Sequence, residues 1–182
     1  LTLSKARDIQ VILLGGVKNP GIYTLSAGSN IIAALNVAGG ISENGSYRNI
    51  DLKRGGKTLK IIDLYDTFVF GSQDFILPLR SGDVVFVKPV SYLVPISGGI
   101  NIPAIYEMLS GETLSDVVKF AGNFSSSFSG FNSVELRRFS ATDSSESNIK
   151  LSELQNITLR PRDEILVPSY TNAMTEIQFI TL

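Results

Sequence analysis

Asp83 and Asp163 each open a short apolar run, DVVFV at 83–87 and DEILV at 163–167. A pair of carboxylates is the constellation that glycoside cleavage requires, provided the two groups stand about 5–10 Å apart. These two occupy equivalent places in separate halves of the chain, so the expected roles are those of turn residues. The cations cluster differently: Arg48, Lys53, Arg54, Lys57 and Lys60 fall within one predicted hairpin, and Arg137 and Arg138 fall in its counterpart. A stripe of that kind suits an acidic polysaccharide, because a guanidinium pairs bidentately with a carboxylate. The alternative is a solvated face or a subunit contact. The segment SENGSYRN (42–49) mixes amide, aromatic and guanidinium side chains, as sugar-binding loops do, and Asn44, Tyr47 and Arg48 are its candidate ligand contacts. Its counterpart, NFSSSFSGFN (123–132), offers Phe124, Phe128 and Phe131, either to stack on sugar rings or to bury against a neighbouring domain. The candidate binding set is therefore Asn44, Tyr47, Arg48, Arg54, Lys57, Phe124, Phe128, Arg137 and Arg138.

Other chemistries are excluded by composition. The chain has neither cysteine nor histidine, which removes thiolate and imidazole metal sites and histidine-assisted nucleophiles. No glycine-rich phosphate loop ending in Lys-Ser/Thr occurs. Sixteen basic against 17 acidic residues give a net charge of −1, without the basic excess of a nucleic-acid groove. We therefore expect no catalytic residue, no metal, no cofactor and no nucleic-acid partner. At 43% hydrophobic and 18% charged, the 182 residues are those of a folded protein. No apolar run approaches the roughly 18 residues that cross a bilayer, so no membrane contact is expected.

The elements that position these residues come in two copies. LLGGVKNPGIYTLSAGSNIIAALNVAGG (13–40) aligns without a gap to ISGGINIPAIYEMLSGETLSDVVKFAGN (96–123). NIDLKR (49–54) then parallels SVELRR (133–138), and LRSGDVVFV (79–87) parallels LRPRDEILV (159–167). Residues 1–90 and 91–170 are read as two homologous domains. Residues 171–182 form a tail, whose TEIQFITL resembles RDIQVILL (7–14) as the first strand of a truncated third copy.

Within a copy, an apolar strand (8–14) ends at a glycine pair, and a turn built on Pro20 leads into a second short strand. The turn with its tyrosine, Gly15 to Tyr23 and again Gly98 to Tyr106, is read first as a fold requirement. A helix follows, N-capped by Asn30 or Thr113, with Asp116 completing a capping box. Its apolar stripe is Leu114, Val117, Val118, Ala121 or Ile31, Ala34, Leu35, Ala38, and Gly39 and Gly122 end it. RNIDLKRGGKTLKIIDL (48–64) reads as a hairpin turning at Gly55-Gly56, with a helical turn near DLYDTF (63–68) and a last strand at 83–87. In the second copy the hairpin loop is expected to lengthen into the polar segment 140–148. The fold class is α+β: two tandem β-grasp domains, each a mixed sheet covered by one main helix.

The runs VKNPGIYTL, AGGISENGSYRNIDLKR, DLYD and SGDVVFV resemble the soluble-ligand-binding β-grasp (SLBB) domains of outer-membrane polysaccharide export proteins. The second copy departs from the pattern at Ala104, in place of Gly21, and at Asn123, in place of the second helix-end glycine. The resemblance implies a periplasmic, non-catalytic binding and assembly module that passes capsular or extracellular polysaccharide. It further implies self-association into a ring in the full-length protein, and an inner-membrane polysaccharide co-polymerase as partner. The chain then reads as a fragment of a longer protein. A small-ligand receptor and a purely structural spacer are the rival readings.

Overall fold

The computed structural model describes residues 7–140 and 142–170. The expected third-repeat strand at 175–182 lies outside the described residues. The chain divides into two compact units between Val90 and Ser91.

Unit one runs β1 (Asp8–Gly15), β2 (Gly21–Ser26), α1 (Ile31–Val37), β3 (Gly45–Arg54), β4 (Lys57–Ile62), α2 (Leu64–Phe68), a 3-10 turn at Asp74–Ile76 and β5 (Val84–Pro89). Its sheet has the order β2-β1-β5-β3-β4. The last strand thus inserts at the centre, parallel to β1 and antiparallel to β3. Alternation along each strand sends Val11, Leu13, Ile50, Leu52, Val85 and Val87 to the side that α1 covers with Ile31, Ala34 and Leu35.

Unit two repeats the plan with β6 (Tyr92–Gly98), β7 (Ala104–Met108), α3 (Leu114–Phe120), β8 (Ser133–Phe139), β9 (Ser144–Lys150) and β10 (Asp163–Val167), in the order β7-β6-β10-β8-β9. Leu114, Val117 and Val118 of α3 are buried, as are Val94, Ile96, Val134, Leu136, Ile165 and Val167 of the sheet.

The local signals act where their chemistry requires. The Asn30 side chain accepts from the Ala33 amide at 3.0 Å, and Asp116 closes the capping box on the Thr113 amide at 2.9 Å. After α1 the chain turns through Gly39 and Gly40 at φ 79° and 94°. Asn123 holds the place of Gly40 at φ 66°, which a short polar side chain tolerates. Two expectations are corrected. The segment expected as a polar loop at 140–148 is largely β9, because Ser144–Lys150 pairs residue for residue with β8, and its polar side chains reflect an edge strand exposed on both faces save at Ile149. Likewise Gly45–Asn49, taken as the end of a sugar-binding loop, is the start of β3.

Candidate functional site

The hairpin cations do not form one stripe. Arg48 turns inward, 5% exposed, and donates from Nε and Nη2 to Asp63 Oδ2 at 3.0 and 2.9 Å, with its guanidinium 4.9 Å from the Tyr65 ring centroid. Arg54 donates from Nε and Nη2 to the two oxygens of Asp83, both at 2.7 Å. Lys60 pairs with Asp74, Lys53 lies on the opposite side of the sheet over the Phe86 ring, and Lys57 is exposed at the hairpin turn.

The arrangement recurs in unit two: Arg138 donates from Nε and Nη2 to both oxygens of Asp163 at 2.8 Å. Its neighbour Arg137 points to the other side of the strand, toward Glu135 and Glu146. Asp83 and Asp163 are completely or almost completely buried, and each also accepts a backbone amide, from Arg80 at 2.8 Å and Arg160 at 2.9 Å. Burial pushes the Asp83 carboxyl up. The hydrogen bonds from Arg54 and the Arg80 amide, and the charges of both arginines, outweigh it and hold the group below the ordinary carboxylate value. Each aspartate therefore clips a turn to a hairpin within its own unit, and neither is arranged as an acid or a base.

The glycine–proline–tyrosine turn is equally structural in both copies. Tyr23 donates to the Asn19 carbonyl at 2.7 Å and Tyr106 to the Ile102 carbonyl at 2.8 Å. Gly15 and Gly98 bring the first strand against the last; a Cβ on either would lie within about 2 Å of a backbone oxygen, Val87 O or Val167 O.

The phenylalanines of unit two stack on one another. Phe124 and Phe128 have centroids 4.2 Å apart, Phe128 and Phe131 5.9 Å, and Tyr170 continues the series at 5.5 Å from Phe131. Phe128 is buried in this stack. Its backbone and Cβ pack where a side chain on Gly99 would stand.

What unit one offers to solvent is a groove of about 230 Å³ between α1 and α2. Ile32 and Leu35 line it from α1, Ile41 from the chain leaving that helix, Tyr47 from β3, and Leu64 and Phe68 from α2. Asn36 is the polar side chain on its wall. Tyr47 and Phe68 stand at the rim, 45% and 67% exposed. The groove exists because α2 packs on β3 and on the Asp74–Ile76 turn. In unit two the comparable 3-10 turn, Leu151–Asn156, packs on α3 itself. Of the residues singled out from sequence, Tyr47 reaches this groove, Asn44 is exposed just before β3, and the arginines are committed elsewhere. Ile32 and Phe68 were missed. The available signal was apolar surplus: Ile32 lies off the buried stripe of its helix, and the run Phe68-Val69-Phe70 is exposed.

Among the described residues no cluster of acidic side chains could hold a metal ion, and no helix is long and apolar enough to cross a membrane.

The SLBB domain family matches residues 10–62 and 93–150, one stretch in each unit. Two Escherichia coli proteins, each named polysialic acid transport protein KpsD, are 30% identical over 100 residues, or 54% of this chain and 18% of theirs. The aligned stretch spans less than a fifth of those relatives' length.

Proposed function

Since the chain belongs to the SLBB domain family through both of its units, we propose that it is a non-catalytic, glycan-contacting and assembly module of a polysaccharide export protein. In this reading it stands in the periplasm and self-associates within the full-length protein as part of a ring. An inner-membrane polysaccharide co-polymerase is its partner there. The similarity to proteins named for polysialic acid transport supports an anionic capsular or extracellular polysaccharide as the cargo.

The observation that carries the glycan contact is the groove between α1 and α2, with two aromatic rings at its rim and an amide on its wall. A pyranose presents apolar C–H faces to rings and hydroxyls to amides, which is the lining this groove provides. Its 230 Å³ falls below the roughly 300–1,000 Å³ of sites that enclose a drug-sized ligand, which weighs against a receptor for a large soluble cofactor. An open groove that takes one sugar ring at a time suits a chain that must pass rather than stay.

The test is an amide and side-chain NMR titration with oligomers of sialic acid and with neutral capsular oligosaccharides. We expect weak, saturable shifts at Ile32, Asn36, Tyr47 and Phe68, lost in Tyr47→Ala. Absence of shifts at millimolar sugar in the folded protein, or shifts that survive in Tyr47→Ala, would overturn the glycan contact.

A further inference from the structure

Each sheet has a second face, opposite its helix, and the two faces differ in charge. In unit one, alternation places Ile12 and Leu14 of β1, Ile22 of β2, Val84, Phe86 and Lys88 of β5, and Asp51 and Lys53 of β3 on that side. Ile22 is 69% and Leu14 41% exposed. Lys88 Nζ lies 3.2 Å and Lys53 Nζ 3.7 Å from the buried Asp51 carboxylate, and Lys53 also sits over Phe86. The face is thus an apolar sector joined to two lysines around one carboxylate, with a second carboxylate, Asp8, on the same side at the start of β1.

In unit two the same side carries Leu93 and Pro95 of β6, Ile105 and the buried Glu107 of β7, Leu166 and Glu164 of β10, Glu135 and Arg137 of β8, and Glu146 and, at the strand end, Lys150 of β9. Ile105 is 64% exposed and Leu93 47%. Arg137 is bridged to Glu135 and Glu146 at 2.6 and 3.2 Å, with Glu164 paired across from it. Here the apolar sector adjoins three carboxylates around one arginine. Two apolar positions correspond between the copies, Ile22 with Ile105 and Phe86 with Leu166, whereas the ionic sectors have opposite net sign.

We infer that the open sheet face of unit one docks on the open sheet face of unit two of a second copy of this chain. Like faces would set lysines against lysines or carboxylates against carboxylates, which costs free energy; unlike faces pair apolar with apolar and positive with negative. The contact is heterologous, so a pair of copies retains one free face of each kind and the association propagates into a ring or a filament. It deepens the assembly part of the function proposed above, on which it rests, and is independent of the glycan contact. A five-stranded face some five residues long covers roughly 400 Å² in projection. That is about half of one partner's share of a standard interface, so a single contact is weak and reversible.

The experiment is sedimentation velocity on the 182-residue chain, from micromolar to millimolar concentration, at low and high salt. We expect concentration-dependent association that salt weakens. Two variants invert the sectors while preserving each sector's own ion pairs. The first combines Asp51→Lys, Lys53→Glu and Lys88→Glu. The second combines Glu135→Lys, Arg137→Glu, Glu146→Lys and Glu164→Lys. Each alone is expected to be monomeric, and an equimolar mixture of the two to associate again, since every contact between one variant and the other is complementary. Ile105→Glu, at an exposed position outside the ion pairs, is the second route should an inverted variant not fold, and is expected to weaken association at least tenfold. A wild-type chain monomeric at millimolar concentration, association unchanged in the variants, or a mixture that stays monomeric would overturn the inference. The glycan titration repeated on the inverted variants separates the two proposals: groove shifts retained where association is lost leave the glycan contact standing.

Discussion

Replacing Asp83 by Asn removes one negative charge from the centre of unit one while keeping the side chain's shape. In the native protein that carboxylate is fully buried and accepts three hydrogen bonds, two from Arg54 and one from the Arg80 amide. Hydrogen bonds to a charged group contribute about 1.5–3 kcal/mol each, but the Arg54 side chain is 28% exposed and regains water when the charge is lost. Asparagine also retains one acceptor oxygen. The net cost of Asp83→Asn at neutral pH should therefore be about 2 kcal/mol, below the roughly 3–5 kcal/mol for breaking a fully buried pair, because the Arg54 end is open to water. For a unit of this size that lowers the midpoint by on the order of 10 °C.

The pH dependence has a definite sign. The carboxyl is held below its ordinary value in the folded state, so its contribution is complete above the unfolded-state pKa of about 3.9 and is lost as pH falls through the folded value. The gap between wild type and variant should stay constant from neutrality to about pH 5, shrink as pH falls below about 4, and close once pH has passed the folded value, where both side chains are uncharged. Because two units need not unfold together, the assay is urea denaturation followed by the amide resonances of β5 and, as a control in the same tube, those of β10. A gap under about 0.5 kcal/mol at neutral pH, a gap that does not shrink as pH falls below about 4, or an equal loss at β10 would refute the role assigned to this carboxylate.

The close approach of first and last strands makes glycine substitutions sharply unequal. Gly98→Ala, where a Cβ would meet Val167 O at 1.9 Å, should destabilise unit two by more than about 3 kcal/mol in urea unfolding. Gly28→Ala, at a similar φ but in open space, should cost only about 1 kcal/mol. Tyr106→Phe removes a hydroxyl that donates to the Ile102 carbonyl and should cost about 1 kcal/mol, with faster amide exchange confined to residues 99–106. Thr113→Ala opens the capping box of α3 and should cost about 1 kcal/mol, seen as fraying of the first helical turn by hydrogen exchange.

Much of each unit was legible along the chain because the governing physics is local. Strands ending at glycine pairs, helices capped by Asn30 and Thr113 and the hairpin turning at Gly55-Gly56 depend on residues a few positions apart, and the repeat supplied the glycine pairs and the helix caps twice. Polarity misled at 140–148, since an edge strand exposed on both faces has the same composition as a loop; only its register with β8 distinguishes them.

What the tertiary structure alone decided follows from one topological fact, the insertion of each last strand between the first strand and the hairpin. That insertion carries Asp83 to Arg54, 29 residues earlier, and Asp163 to Arg138, and turns two apparent ligand arginines into internal clips. It also sets Lys88 beside Asp51, giving the open face its charge. The groove arises in the same way, from where α2 comes to rest. Sequence determines which side chains an element presents on each face; which distant element meets that face depends on the order in which strands assemble, and spacing along the chain does not encode it.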